Sequence, residues 1–147
     1  MKAIYFDMDG TIANLYGQKN WLTRLRKYDA TPYLEAEPLV NPQLLADILL
    51  QLKRKGYVIG IISWLSKDST PSYDKAVRVA KVDWLENHFG PGFFDKVHIV
   101  KFGTPKRKVT TIRDSVLFDD NEEVRKAWGA SAYDEKSILP VLQSLLK

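Results

Sequence analysis

The sequence KAIYFDMDGT, residues 2–11, reads as a short apolar strand that ends in two aspartates, Asp7 and Asp9, and then turns. Side chains alternate along an extended strand, so we expect both carboxylates on one face and the apolar side chains on the other. Carboxylates this close repel each other unless a cation lies between them or one of them stays protonated. Mg²⁺ prefers oxygen ligands and is commonly held by one or two carboxylates, water and a phosphate. The stretch therefore predicts a Mg²⁺ site, although Asp and Gly are also favoured in ordinary polar turns.

The composition limits the kinds of site that the chain can carry. A chain of 147 residues is long enough for one domain, 1–147, that buries its core without crosslinks. The absence of cysteine excludes disulfides and thiolate metal sites, and His88 and His98 are too few for a multi-histidine zinc site. Any bound metal should therefore have oxygen ligands.

The chain shows neither a leader segment nor an apolar run of membrane-spanning length. We therefore expect a soluble, cytoplasmic protein without a membrane partner. The net charge of +4 is spread along the chain, which fits an anionic substrate better than a nucleic-acid surface. No protein partner is evident, and the sequence does not predict the oligomeric state.

Apolar patterning predicts strands that alternate with helices. After the first strand, four further strands are predicted at YVIGIISW (57–64), KVHIV (96–100), SVLFDD (115–120) and ASAYD (130–134), and four main helices at about 42–55, 73–89, 122–128 and 138–146. Such alternation is typical of a three-layer α/β fold with a parallel sheet and right-handed crossovers. We predict a five-stranded sheet of order 5-4-1-2-3, with the first strand at its centre.

Residues 15–40 interrupt this alternation and are predicted to form a small helical cap insert over the carboxyl ends of the strands. The segment QKNWLTRLRKYDA (18–30) has helical spacing, whereas TPYLEAEPLVNP (31–42) carries three prolines without a clear period and is predicted as a loop. Ligands of parallel α/β sheets bind beyond the carboxyl ends of the strands. Asp7, Ser63 and Asp119 all follow such ends, so we expect them to meet in one crevice.

These residues suit phosphoryl transfer. Asp7 is the candidate nucleophile, because a carboxylate can attack phosphorus and form an aspartyl-phosphate. Asp9 is the candidate acid and base, provided that its neighbours raise its pKa so that it starts protonated; the alternative is that it only shapes the turn. Asp119 would complete the metal site, and Asp120 would be a second, water-bridged ligand or an orienting group. Alternatively, the pair caps the next helix, through Asp120 or Asn121.

The transferred phosphate needs hydrogen-bond donors and cations around its oxygens. The predicted contacts are Gly10, Thr11, the Ser63 hydroxyl, the Trp64 backbone N–H and a lysine. Ser63 could equally be a hydroxyl that merely ends a strand. For the lysine we favour Lys106, because Thr104 could cap a turn with Pro105 at its first position, which would bring Lys106 to a helix N-terminus. Lys108 and Lys101 remain open.

Four segments, DMDGT, Ser63 after YVIGII, the lysine-rich 101–108 and Asp119-Asp120 after SVLF, follow one another as in the haloacid dehalogenase-like (HAD) phosphohydrolase superfamily. The resemblance covers nearly the whole chain and implies a Rossmann-like HAD fold, Mg²⁺ and phosphomonoester hydrolysis.

The stretch SYDKAVRVAKVDWLENHFGPGFFDKVHIV (72–100) more narrowly resembles the 5'(3')-deoxyribonucleotidase branch, with Lys81, Trp84, Phe89 and Gly90 as the shared markers. That resemblance implies a nucleoside monophosphate substrate and the Asp9 backbone carbonyl as a further metal ligand. The chain departs from the branch in its reduced cap, in Ser63-Trp64-Leu65 in place of Thr-Ser-Pro, and in Asn14 in place of an acid.

The aromatic residues Tyr16, Trp21 and Trp64 could stack on a nucleobase, with Arg24 or Lys19 holding its polar groups. Alternatively, aromatics at this spacing fasten a small helix to the body. A reduced cap would also leave the crevice open to a larger phosphorylated molecule, such as a nucleic-acid end or a phosphoprotein. The remaining alternative is a nucleotide- or phosphate-binding module without turnover.

Overall fold

The computed structural model describes residues 1–147 and contains two sheets and six α-helices. The strands are β1 (Lys2–Phe6), β2 (Ala13–Asn14), β3 (Glu37–Pro38), β4 (Tyr57–Trp64), β5 (Lys96–Val100), β6 (Asp114–Phe118) and β7 (Ala132–Tyr133). The helices are α1 (Trp21–Arg26), α2 (Thr31–Glu35), α3 (Pro42–Arg54), α4 (Pro71–Phe89), α5 (Glu122–Trp128) and α6 (Ile138–Leu146), with short 3₁₀ helices at Leu15–Gly17, Lys106–Lys108 and Glu135–Ser137. None of the helices combines the length and the apolar character that crossing a membrane requires.

The main sheet is parallel and has the order β5-β4-β1-β6-β7, with β1 at its centre as expected. The strand numbers differ from those of the expected order 5-4-1-2-3, because sequence analysis missed β2 and β3. These two short strands pair with each other in a separate antiparallel sheet and take two numbers in the chain order. The position of β1 brings the residues that follow β1, β4 and β6 to one edge of the sheet.

Helices cover both faces of the main sheet, and the alternation along β1 explains why. Ile4 and Phe6 belong to the large core cluster together with apolar residues of α3, α4 and α6. Ala3 and Tyr5 point the other way and pack with Val124 and Trp128 of α5. A strand with apolar residues on both faces requires cover on both, which produces the three layers.

The segment 15–40 contains a second helix, α2, where a loop was predicted. The error came from the prolines: Pro32 lies in the first turn of α2, where its missing N–H and fixed φ are tolerated. Asp29 Oδ1 accepts hydrogen bonds from the Thr31 N–H at 2.9 Å and the Thr31 hydroxyl at 2.5 Å, which supports the start of the helix. The short helix predicted within 18–30 is α1.

The segment 15–40 is fastened to α4. Tyr33 of α2 packs against Tyr73, Val77 and other residues in a small apolar cluster. The fully buried Trp84 donates its indole N–H to the Ala36 carbonyl at 2.7 Å. These contacts hold the segment next to the carboxyl ends of the main strands.

Candidate functional site

A cavity of about 590 Å³ opens at the carboxyl ends of the main strands, next to the segment 15–40. The charged residues on the side of the sheet are Asp7, Asp9, Lys106, Asp119 and Asp120. At the rim they are Arg26, and Lys67 and Asp68 of the loop after β4. Its aromatic lining consists of Tyr16, Trp21, Tyr28, Tyr33, Trp64, Tyr73 and Phe102. The cavity thus combines an acidic floor with aromatic walls.

The floor of the cavity is a carboxylate cluster bridged by one buried lysine. Lys106 Nζ donates to Asp7 Oδ1 at 2.9 Å and to Asp119 Oδ2 at 2.7 Å. Burial of the amine lowers the pKa of Lys106, but the carboxylates of Asp7 and Asp119 outweigh this effect and raise the pKa above its ordinary value. The lysine therefore stays charged and neutralises part of the cluster.

The donor set fits a hard divalent cation. Ligand oxygens of Asp7, Asp119 and Asp120 all lie within 4.8 Å of one another. Burial, and then the charge of Asp7, raise the pKa of Asp119 to about 6 and the pKa of Asp120 to about 7. A cation bound between these carboxylates would offset their mutual repulsion, and a site with only oxygen donors suits Mg²⁺.

Thr11 and Gly10 shape this cluster. The buried Thr11 hydroxyl donates to Asp7 Oδ2 at 3.0 Å and accepts from the Asp120 N–H at 3.1 Å. Gly10 has a φ of +82°, and a Cβ atom there would lie 2.3 Å from Asp120 Oδ2. Neither residue lines the cavity, and their contacts in the structure are with the carboxylates. Their contact with a phosphate stays a prediction.

Asp9 opens into the same cavity as Asp7 but has a different partner. Its Oδ2 atom accepts from Lys81 Nζ at 2.9 Å, and its side chain is 17% exposed. Burial raises the pKa of Asp9, and the neighbouring Asp7 adds to the rise, while Lys81 opposes it. The Asp9 side chain lies outside the group of clustered metal-ligand oxygens, and a metal contact through the Asp9 backbone carbonyl stays a prediction.

Ser63 and Trp64 lie at the end of β4, and of the two only Trp64 lines the cavity. Ser63 is fully buried and does not line the cavity; its hydroxyl accepts from Lys81 at 2.7 Å, which leaves its own proton free for another acceptor. The Trp64 ring lines the cavity, and its Nε1 donates to the Thr104 carbonyl at 2.8 Å.

Only one of the three lysines left open by the sequence reaches the carboxylates. Lys106 is 4% exposed, whereas Lys101 and Lys108 are exposed and do not line the cavity. The expected reason was wrong, because Thr104 does not cap a helix but donates its hydroxyl to the Lys101 carbonyl. Lys106 instead starts a single 3₁₀ turn.

Among the residues that follow β6, the sequence left open which of them caps the next helix and which face the site. Asn121 caps α5, since its Oδ1 accepts from the Glu123 and Val124 N–H groups at 2.9 and 3.2 Å. Asp119 and Asp120 are thereby free to face the cavity, and Asp119 Oδ1 also accepts from the Asn121 N–H at 2.9 Å.

Sequence reasoning missed the role of Lys81, which it had noted only as a family marker. The lysine is fully buried in α4 and contacts Asp9 and Ser63. A signal was present: Lys81 lies on the same helical face as Val77 and Trp84, and an ionisable side chain on a buried face requires polar partners.

The cations of the cavity rim also differ from those expected. Arg24 is held by Asp29 at 3.2 Å and Glu35 at 3.6 Å, and neither it nor Lys19 lines the cavity. Arg26 and Lys67 line it instead. Trp21 packs against the apolar cluster of the segment and also lines the cavity, as the two alternatives considered for it require. The ring centroids of Trp21 and Tyr16 are 4.9 Å apart.

No family model and no curated protein matches the chain. Among solved structures, the chain is similar to the crystal structure of D,D-heptose 1,7-bisphosphate phosphatase from Burkholderia thailandensis, with a TM-score of 0.59 and 12% sequence identity. The alignment covers 100% of this chain and 99% of that chain. The two chains share a fold. At this identity the likeness concerns the fold alone.

The first prediction concerns the close approach at Gly10. We expect Gly10→Ala to weaken Mg²⁺ binding at least about tenfold, because the new methyl group would displace the Asp120 carboxylate. Gly56→Ala is the matched control: it has a similar φ of +96° but open space around the new Cβ, so it should show only the backbone cost of about 1–2 kcal/mol. Isothermal titration with Mg²⁺ and thermal unfolding of both variants provide the comparison. Equal Mg²⁺ affinities for the two variants would contradict the packing argument.

The second prediction concerns pH and Mg²⁺. A carboxyl whose pKa is raised by folding stabilises the protein fully below about pH 4, the ordinary pKa of Asp. This contribution is lost as the pH rises through about 6 for Asp119 and about 7 for Asp120. Mg²⁺ competes with those protons, so the rise in Tm on adding Mg²⁺ should be larger at pH 8 than at pH 5.5. Asp120→Asn should reduce this difference, and an equal rise at both pH values would count against the site.

Proposed function

We propose that the chain is a Mg²⁺-dependent phosphatase that hydrolyses a small phosphomonoester through an aspartyl-phosphate on Asp7, with a nucleoside monophosphate as substrate. One observation carries the proposal: Asp7 and Asp9 open into one cavity but have different surroundings. Asp7 is paired with Lys106 and belongs to the metal-type cluster, whereas Asp9 is paired with Lys81, lies outside the cluster and has a raised pKa. A nucleophile beside a carboxyl that can be protonated is what this reaction needs.

In the first step an oxygen of Asp7 attacks phosphorus as the ester P–O bond breaks, and the leaving oxygen takes its proton from Asp9. In the second step Asp9, now a carboxylate, takes a proton from water. The water oxygen attacks phosphorus, the Asp7–phosphorus bond breaks, and inorganic phosphate leaves with Asp7 restored. The raised pKa of Asp9 supports its protonated starting state.

The other residues at the floor of the cavity orient Asp7 and offset negative charge. Thr11 and Lys106 each hold one oxygen of Asp7, which limits rotation of the nucleophile. Asp7, Asp119 and Asp120 are the residues that would hold Mg²⁺, which when bound offsets the negative charge of the carboxylates and of the phosphate. Ser63 retains a hydroxyl proton for a phosphate oxygen, and Lys106 adds positive charge next to it.

The aromatic lining supports a nucleoside as the leaving group. Tyr16 and Trp21 form an edge-to-face pair and Trp64 and Phe102 a tilted pair, with ring centroids 4.9 and 5.0 Å apart. Such surfaces offer a planar base large apolar contacts. Arg26 and Lys67 are engaged in no ion pair, so they are available to polar groups of the substrate.

A larger phosphorylated molecule is the second candidate, and exposure at the rim favours it. Tyr16, Tyr28 and Phe102 line the cavity and are 51, 54 and 51% exposed. The cavity therefore has an open side through which the end of an oligonucleotide or a phosphorylated side chain could enter.

The third prediction tests catalysis. Asp7→Asn should abolish phosphatase turnover, because the amide cannot form the acyl phosphate, while the shape of the side chain is kept. Chelation of Mg²⁺ by EDTA should have the same effect and be reversed by added Mg²⁺. Asp47→Asn, an exposed substitution on α3, is the matched control and should leave the rate unchanged. Release of inorganic phosphate at high enzyme concentration is the measurement; a wild type without turnover on any phosphomonoester would support the binding-module alternative.

The fourth prediction tests the substrate. The kcat/KM for nucleoside monophosphates should exceed that for sugar phosphates and simple aryl phosphates, since stacking one base is worth about 1–3 kcal/mol, or roughly five- to hundredfold. Trp21→Ala should reduce this preference more than Leu22→Ala, which removes an apolar lining residue without an aromatic face. Assays across deoxynucleotides, ribonucleotides, sugar phosphates and phosphorylated oligonucleotides provide the comparison. Faster turnover of oligonucleotide ends would favour the second candidate.

A further inference from the structure

Lys81 of α4 is the most deeply buried charged side chain of the protein outside the carboxylate cluster. It is fully buried, and its amine donates three hydrogen bonds: to Asp9 Oδ2 at 2.9 Å, to Ser63 Oγ at 2.7 Å and to the Trp64 carbonyl at 2.7 Å. An ammonium group has three donors. All of them are used, so the position of the amine is fully specified.

The three acceptors come from two segments that are far apart in the chain. Asp9 follows β1, whereas Ser63 and Trp64 end β4. The ring of Tyr33, from α2, lies 4.9 Å from the amine and faces it as a fourth neighbour. Lys81 therefore joins the ends of two central strands, α4 and the segment 15–40 at one point.

The amine leaves Asp9 with one engaged and one free oxygen. Oδ2 is held by Lys81, while Oδ1 accepts no hydrogen bond from the protein, and Asp9 lines the cavity. Rotation of the carboxyl would break a partly buried, charge-assisted hydrogen bond, which is costly. The contact thus fixes the orientation of Asp9 relative to the cavity.

The two buried lysines divide the carboxylates between them. Lys106 contacts Asp7 and Asp119, and Lys81 contacts Asp9, so the two lysines share no carboxylate. Neutralising the metal-type cluster therefore does not require Lys81. Its contacts serve Asp9 and the end of β4.

We infer that Lys81 is a positioning residue that holds the Asp9 carboxyl in the orientation from which it transfers a proton to the leaving oxygen. This inference rests on the proposed function, in which Asp9 is the acid. The residue acts through Asp9, so its removal should matter only when the leaving oxygen needs that proton.

The dependence of the rate on the leaving group tests this role. An alkoxide, such as the ribose oxygen of a nucleotide, must be protonated as the ester bond breaks, whereas 2,4-dinitrophenolate leaves readily without a proton. We expect Lys81→Met to lower kcat/KM about 100-fold for a nucleoside monophosphate, the lower range of general acid catalysis, and less than about fivefold for 2,4-dinitrophenyl phosphate. A purely structural role would lower both by the same factor.

Two controls separate position from chemistry. Lys75→Met makes the same substitution on an exposed face of α4 and should change neither rate. Ser63→Ala removes the other side-chain partner of Lys81 and should lower both rates by a similar factor, because in the proposed function its hydroxyl donates to the phosphate whatever the leaving group. A selective loss in Ser63→Ala equal to that in Lys81→Met would overturn the assignment to Asp9.

A double-variant comparison keeps the test decisive if Lys81→Met fails to fold. In Asp9→Asn/Lys81→Met both charges of the pair are removed, and the rates should equal those of Asp9→Asn alone, since Lys81 has no acid left to position. A further loss of more than about tenfold on the nucleotide in the double variant would overturn the inference. A wild type that turns over neither substrate would reject the proposed function itself, whereas an active wild type with leaving-group-independent losses would reject only the role of Lys81.

Discussion

The bridge from Lys106 to Asp7 and Asp119 is the interaction on which the arrangement of the site depends. Strands β1 and β6 are neighbours, so the carboxylates that follow them come together with little exposure to solvent. Buried like charges at such distances would otherwise repel or stay protonated. One buried ammonium group at 2.9 and 2.7 Å offsets that repulsion and lets the two strand ends lie side by side.

The same constraint explains why the site has two lysines and not one. The carboxylates after β1 are only two residues apart, yet Asp7 turns toward β6 and Asp9 toward the end of β4. Each direction leads to a different buried cation, which comes from a different part of the chain. The surroundings of the two aspartates differ for that reason, and the proposed roles of nucleophile and acid require such a difference.

The segment 15–40 contributes through packing more than through its own stability. Helices α1 and α2 have six and five residues, too few to be stable alone. They are held by Tyr33 against α4 and by the Trp84 hydrogen bond to Ala36. The aromatic walls of the cavity therefore depend on the same helix that carries Lys81, and cavity shape and Asp9 orientation share one support.

Much of the fold was predictable because its signals are local. The alternation of Ile4 and Phe6 with Ala3 and Tyr5 indicates a strand covered on both faces, and Asn41 and Asn121 cap two of the helices that the apolar patterning predicts. The missed helix α2 is instructive. Its start depends on a side-chain contact from Asp29, and its stability depends on packing against α4, neither of which appears in the apolar periodicity.

By itself, the sequence determined the strands and helices of the main layers and the residues at the carboxyl ends of the strands, because periodicity and strand-end chemistry are properties of neighbouring residues. Only the tertiary structure decided which long side chains reach the site: Lys106 and not Lys101 or Lys108, Arg26 and not Arg24, and Lys81 beside Asp9. The direction of a flexible lysine or arginine depends on which buried acceptors other segments bring within its reach. Those acceptors become neighbours only when strands distant in sequence pair and the helices pack over them.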